Sequence, residues 1–133
     1  MNHRRLAIAL ATACVLPFAA PASAQLKIGI NVPLTGFAAA DGKSALDGAK
    51  LAVADANAKG GINGEKIELV IYDDQASPKE ATPAATKLIE KDKVVAGVSG
   101  SYSASTRAAA PLFQAAKVPY VVAYSIHPEV TLA

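Results

Sequence analysis

Thiols and imidazoles are nearly missing from this sequence. Cysteine occurs once in 133 residues, at Cys14, and histidine twice, at His3 and His127. Cys14 and His3 both fall in an N-terminal stretch with the features of a removable leader. The remainder therefore has one histidine and no thiol, which excludes an internal disulfide and leaves too few ligands for a zinc cluster. No metal or other cofactor is implied. Nor does any later stretch form an apolar run long enough to span a bilayer. Charge of one sign is also lacking. Lys and Arg number 13 against 11 Asp and Glu, and two of the 13, Arg4 and Arg5, lie in the leader. The rest is balanced at about zero, so nothing points to nucleic acid. Nucleotide fingerprints are absent: no G-x-G-x-x-G follows the first strand, and there is no P-loop lysine motif. Gly97-Val98-Ser99-Gly100 begins like a nucleophile elbow, but Ser101 stands where the second glycine belongs. With no base near any serine, the chain is expected not to be an enzyme.

What is present begins with residues 1–24, which have the layout of a secretory signal peptide. Arg4 and Arg5 supply the positive start, residues 6–16 the apolar middle, and Ala22-Ser23-Ala24 the small-residue cleavage site. The cut is expected between Ala24 and Gln25, giving a periplasmic product. Cys14 is not a lipid-attachment site on this reading, because Ala11-Thr12-Ala13 lacks the large aliphatic residue such a site wants.

From Gln25 onward, strand and helix patterns alternate. Residues 26–32 are a mostly apolar run stopped by Pro33, as in a buried strand. A loop is expected over 33–42. Over 44–59 Ala45, Ala49, Ala52, Val53 and Ala56 make a helical stripe, which Gly60-Gly61 ends. Asn63-Gly64 is a turn signal. Residues 67–72 alternate as a second strand. Asp73-Asp74 then follows as a solvated strand end; a phospho-acceptor pocket is disfavoured by export. Ser77-Pro78-Lys79-Glu80 has the form of a capping box with proline first. Pro83 is expected to kink that helix or delay its start. A third strand over 94–99, a third helix over 103–117 and a fourth strand over 118–124 complete the series. Such an order predicts an α/β, doubly wound parallel sheet with flavodoxin-like strand order. Ligands of such sheets sit beyond the carboxyl ends of the strands.

Several runs carry a family resemblance. They are PLTG (33–36), DGAKLAVADANAKGGINGEKIELVIYDDQASP (47–78), GSYSASTRAAAP (100–111) and VPYVVAYSIHPEVT (118–131). Together they resemble the leucine/isoleucine/valine-binding proteins of ABC importers, over nearly all of the chain after the leader. The resemblance implies a type I periplasmic binding fold, in which two α/β lobes close over a small ligand and present it to a membrane permease without catalysis. Residues 25–133 would be the N-terminal ligand-binding lobe, with the fifth strand, the hinges and the second lobe outside this sequence. The expected ligand is a branched-chain amino acid or a related small carboxylate.

The same resemblance implies a site. Family members meet the ligand carboxylate with a hydroxyl and backbone N–H groups where the third strand turns into the third helix. Ser103 matches that serine, between Tyr102 and Ala104. A helix start suits an anion on physical grounds as well. A serine there also serves as a plain N-cap, and one residue can fill both roles. After the fourth strand the matching run is Tyr124-Ser125-Ile126. Ile126 stands where the family has a threonine, which makes Ser125 the nearest hydroxyl. Asp41 stands near a position that often holds an aromatic; Phe37 would either replace that aromatic or merely pack within the loop. Asp41 would pair with a cationic ligand group or be merely solvated. A second reading with the same fold is a ligand-sensing module of a receptor or regulator.

Overall fold

A computed structural model describes residues 25–123 and 125–130 of the chain. The expected leader, with Cys14, and Tyr124 lie outside the described residues. Four parallel strands form one sheet in the order β2-β1-β3-β4. They are β1 (Leu26–Val32), β2 (Ile67–Asp73), β3 (Ala96–Ser99) and β4 (Tyr120–Val122), separated by α1 (Ala39–Ala58), α2 (Pro78–Thr86) and α3 (Ser103–Ala115). The order is the flavodoxin-like one, so the expected fold class is found.

Side-chain alternation along the strands sorts the core into two layers. Ile30 and Val32 of β1 face α1, where they pack with Leu46, alongside Leu69, Ile71 and Val98. The intervening Gly29 faces the other way, where an added Cβ would come within 2.7 Å of Leu88. On that side Ala85, Leu88, Val94, Ala109 and Phe113 form the second cluster, joined by Val70, Tyr72 and Tyr120. Helix α1 therefore covers one face alone, while α2 and α3 pack side by side on the other. A right-handed crossover requires this split, because β1 to β2 steps one way along the sheet and the later connections step the opposite way.

Helix α1 starts at Ala39, five residues before the expected Ser44. Gly36, at φ +79°, makes the turn, and the alanine run behind it has the highest helix propensity of any residue. Gly42 misleads as a loop glycine. It lies inside the first turns of α1 because a Cβ there would collide with the Pro33 carbonyl. Two other expectations change. The Ser77 hydroxyl makes no capping bond; its carbonyl instead accepts the amides of Glu80 (3.1 Å) and Ala81 (2.9 Å). Pro83 does not delay α2, which begins at Pro78 as the sequence pattern places it. The helix passes into one wide π turn, Lys87–Lys91, and ends with the Val94 amide on the Leu88 carbonyl at 3.1 Å. Strand β3 begins two residues later than expected, at Ala96. Between α1 and β2, Asn63 (φ 51°) and Gly64 (φ 87°) form a two-residue hairpin turn closed by paired Ile62–Glu65 backbone bonds of 2.9 Å.

Candidate ligand site at the switch point

Helix α1 leaves β1 toward one face of the sheet, and α3 leaves the neighbouring β3 toward the other. A crevice opens between two such strands at their carboxyl ends. Its walls are the loop 33–38, the first turn of α1, the turn 100–102, and the start of α3.

The β1–α1 wall is held by Asp73. Its Oδ1 accepts the amides of Leu34 (2.8 Å) and Gln75 (2.9 Å), and its Oδ2 accepts the Thr35 hydroxyl at 2.6 Å. Partial burial pushes the Asp73 carboxyl upward, but the bonds from Thr35, Leu34 and Gln75 outweigh it and hold the group below its ordinary value.

Asp74 holds the other wall. It is wholly buried, not solvated as its position at a strand end implied. Adjacent strand residues point to opposite faces, so one of two consecutive aspartates at a strand end has to turn inward. Asp74 Oδ2 accepts Asn31 Nδ2 at 2.7 Å, and its Oδ1 accepts the Ser101 hydroxyl (2.9 Å) and the Ala76 amide (3.0 Å). Asn31 Oδ1 in turn accepts the Tyr120 hydroxyl at 2.5 Å. Residues from the ends of β1, β2 and β4 and from the β3–α3 turn are thus joined in one buried network. Burial drives the Tyr120 phenol up to about 12.

Helix α3 begins on this support. Tyr102 occupies the N-cap position with extended backbone, and no side chain caps the helix. Ser103 is therefore the first helical residue and not the cap. Its hydroxyl has no hydrogen-bond partner among the described residues, and no acidic side chain lies in the first turn. The helix offers unpaired N–H groups and partial positive charge toward the crevice, with Ala104 adding no bulk. The Thr106 hydroxyl lies 2.6 Å from both Ser99 Oγ and Ser125 Oγ, and Ser125 Oγ donates to the Ser101 carbonyl at 2.9 Å. Ser125 thus ties the segment after β4 to the turn that carries the site. Ile126 is 92% exposed.

Tyr102, Ser103 and Ala104 are brought together with Phe37 and Asp41 at one corner. The Tyr102 hydroxyl donates to Asp41 Oδ2 across the crevice, and the Phe37 and Tyr102 rings lie 5.8 Å apart. Sequence reasoning missed Asn31, Asp73, Asp74, Ser101 and Thr106. Among the described residues no group of His, Cys, Asp or Glu side chains could hold a metal, and no helix is long and apolar enough to cross a membrane.

A four-stranded parallel sheet of this order with helices on both faces is a doubly wound α/β fold, the arrangement found in type I periplasmic binding protein lobes. The chain belongs to the periplasmic binding protein family, which it matches over residues 25–132. An amino acid binding protein of Pseudomonas aeruginosa is 39% identical over 128 residues, covering 96% of this chain and 34% of that protein. The branched-chain amino acid transporter substrate-binding protein LivJ of Streptococcus pneumoniae, solved with isoleucine, superposes with a TM-score of 0.79 and 36% identity. That match covers 82% of this chain and 31% of LivJ. An ABC transporter solute-binding protein of Rhodopseudomonas palustris, solved with 3,4-dihydroxybenzoic acid, gives a TM-score of 0.75 and 33% identity over 81% of this chain and 29% of that one. These relatives are solute-binding proteins, not enzymes. The chain spans about a third of the length of the relatives it matches.

Proposed function

We propose that the chain is the N-terminal lobe of an exported solute-binding protein of an ABC importer. On this reading it captures an amino acid or related small carboxylate, which a second lobe closes over before delivery to a membrane permease. Residues 1–24 are the leader, cut between Ala24 and Gln25. The ligand carboxylate lies against the first turn of α3, with the Ser103 hydroxyl and the amides of residues 103 and 104 as donors. Tyr102 and Ser125 flank it, Phe37 and Asp41 face its far end, and Tyr124, outside the described residues, is assigned to the site from its sequence match alone.

The observation that carries the reading is the uncapped start of α3. Its amides and the Ser103 hydroxyl lie at the switch point without acceptors, on a turn braced from below by Asp74. The solved relatives with isoleucine and with a benzoic acid share this lobe, and both ligands carry a carboxylate. One lobe leaves much of a ligand in water, whereas tight sites bury about 70–90% of it. The lobe alone therefore binds weakly, with a Kd on the order of millimolar. Amide NMR spectra of the chain titrated with leucine test the assignment. Shifts concentrated at residues 103–106 are expected. Ser103→Ala should weaken binding about tenfold or more, the scale of one hydrogen bond to a charged group, and leave the melting temperature unchanged because Ser103 caps nothing. Absence of shifts at the α3 start with any carboxylate would refute the proposal.

A further inference from the structure

We infer that Asp41, with the rings of Phe37 and Tyr102, selects ligands whose side chain ends in a cationic nitrogen, an ammonium or guanidinium group. The inference rests on the carboxylate-capture reading above and names the ligand's other end.

Three observations carry it. First, the Tyr102–Asp41 bond joins the cap of α3 to the first turn of α1, so it spans the switch-point crevice between residues 61 apart in sequence. A ligand whose carboxylate lies at Ser103 sits next to this bridge, because Ser103 directly follows Tyr102. Second, Asp41 uses one oxygen for Tyr102, and its other oxygen has no hydrogen-bond partner among the described residues. No basic side chain pairs with it among the described residues, where the ion pair is Arg107–Glu129, between α3 and the turn 128–130. Third, Phe37 stands 84% exposed at the lip of the crevice with its ring beside that of Tyr102.

Two aromatic rings and a carboxylate on one rim are the chemistry of cation recognition. The converse argument is stronger. Closing an aliphatic side chain over this rim would remove Asp41 from water with one hydroxyl as its partner, which is costly for a carboxylate. A second ligand carboxylate would meet like charge. A cationic group meets a carboxylate oxygen that has no partner among the described residues, beside the rings of Phe37 and Tyr102. The competing explanation is that Asp41 serves only the α1 dipole from its first-turn position. That role predicts a small loss of helix stability on substitution and no change in ligand ranking.

Lysine and norleucine separate the two, since they differ by the terminal amine alone. The test is amide NMR titration of the full chain with lysine, norleucine and glutamate, in the wild type and in Asp41→Asn. Lysine is expected to bind about tenfold more tightly than norleucine, as for one partly desolvated charge pair, with the margin shrinking as salt rises. Glutamate should bind most weakly. Asp41→Asn should erase the lysine preference by weakening lysine, while norleucine, relieved of the buried charge, binds as tightly or more tightly than in the wild type, and Phe37→Ala should reduce the preference. Norleucine equal to or tighter than lysine, or a preference that survives in Asp41→Asn, overturns the inference while shifts at residues 103–106 keep the carboxylate reading intact. No shift at those residues with any of the three compounds overturns both.

Discussion

Asp74 is the residue on which the shape of the site depends. Its carboxylate is buried and bonded to three donors from three different segments, and among the described residues no basic side chain is bonded to it. Asp74→Ala would leave Asn31 Nδ2 and the Ser101 hydroxyl without acceptors inside the protein. A loss of about 3 kcal/mol is expected, the scale of a buried charge-assisted network, visible as a lower urea midpoint. Ser105 is the opposite case. Its hydroxyl is buried in α3 with no hydrogen-bond partner among the described residues. Ser105→Ala removes an unsatisfied polar group and keeps a good helix former, so it should raise stability by up to about 1 kcal/mol in the same assay. Neither role is legible from sequence. Asn31 and Asp74 are 43 residues apart, and nothing in local pattern says that their side chains meet. Ser103 was singled out by the family resemblance; helix-start chemistry alone reads it as a plain N-cap, and the structure makes it the first helical residue instead.

At the scale of elements, strands β1 and β2 were legible almost to the residue, since apolar runs bounded by Pro33 and by Asp73-Asp74 have few other solutions. The start of α1 was not. A glycine in the first turn resembles a loop, and only the folded chain shows that the Pro33 carbonyl occupies the space a side chain would need. The stripe read for α1 also omitted Leu46, which is its most deeply packed large side chain. Strand β3 depends on a similar close approach. A Cβ on Gly97 would come within 2.5 Å of the Phe113 ring and 2.9 Å of the Tyr120 ring, which are themselves stacked at 4.2 Å. Gly97→Ala should cost about 1–3 kcal/mol through overpacking. Because α3 rests on β3 through Phe113, the same variant should broaden the amide signals of residues 103–106 in NMR spectra.

For the whole molecule, stability should fall at both ends of the pH scale for identifiable reasons. The Tyr120 phenol titrates near 12 in the fold against an ordinary value of 10 when unfolded. Its neutral form is favoured by folding, so this contribution is complete below pH 10 and is lost as pH rises from 10 toward 12. Asp73 has the reverse sign. Its carboxyl is held below the ordinary 3.8, so its contribution is present above that value and is lost as pH falls through the lower folded one. Chemical denaturation across pH should show a falling alkaline limb that flattens in Tyr120→Phe, and an acid limb that flattens in Asp73→Asn.

Among the described residues, one face of the sheet is left open beside α1. Ile28, Ala49, Ala52, Val53, Ile67, Leu69 and Val98 line an apolar hollow there, and Val121 on the same face of β4 is 61% exposed. The winding sense of the polypeptide restricts what can fill it. A further strand added outside β4 would lay its helix beside α3, on the far side of the sheet. Among segments that follow β4, the hollow can be roofed by one that travels back from the β4 side toward β2, and not by the next crossover. Chirality alone thus excludes the next helix in series as its cover.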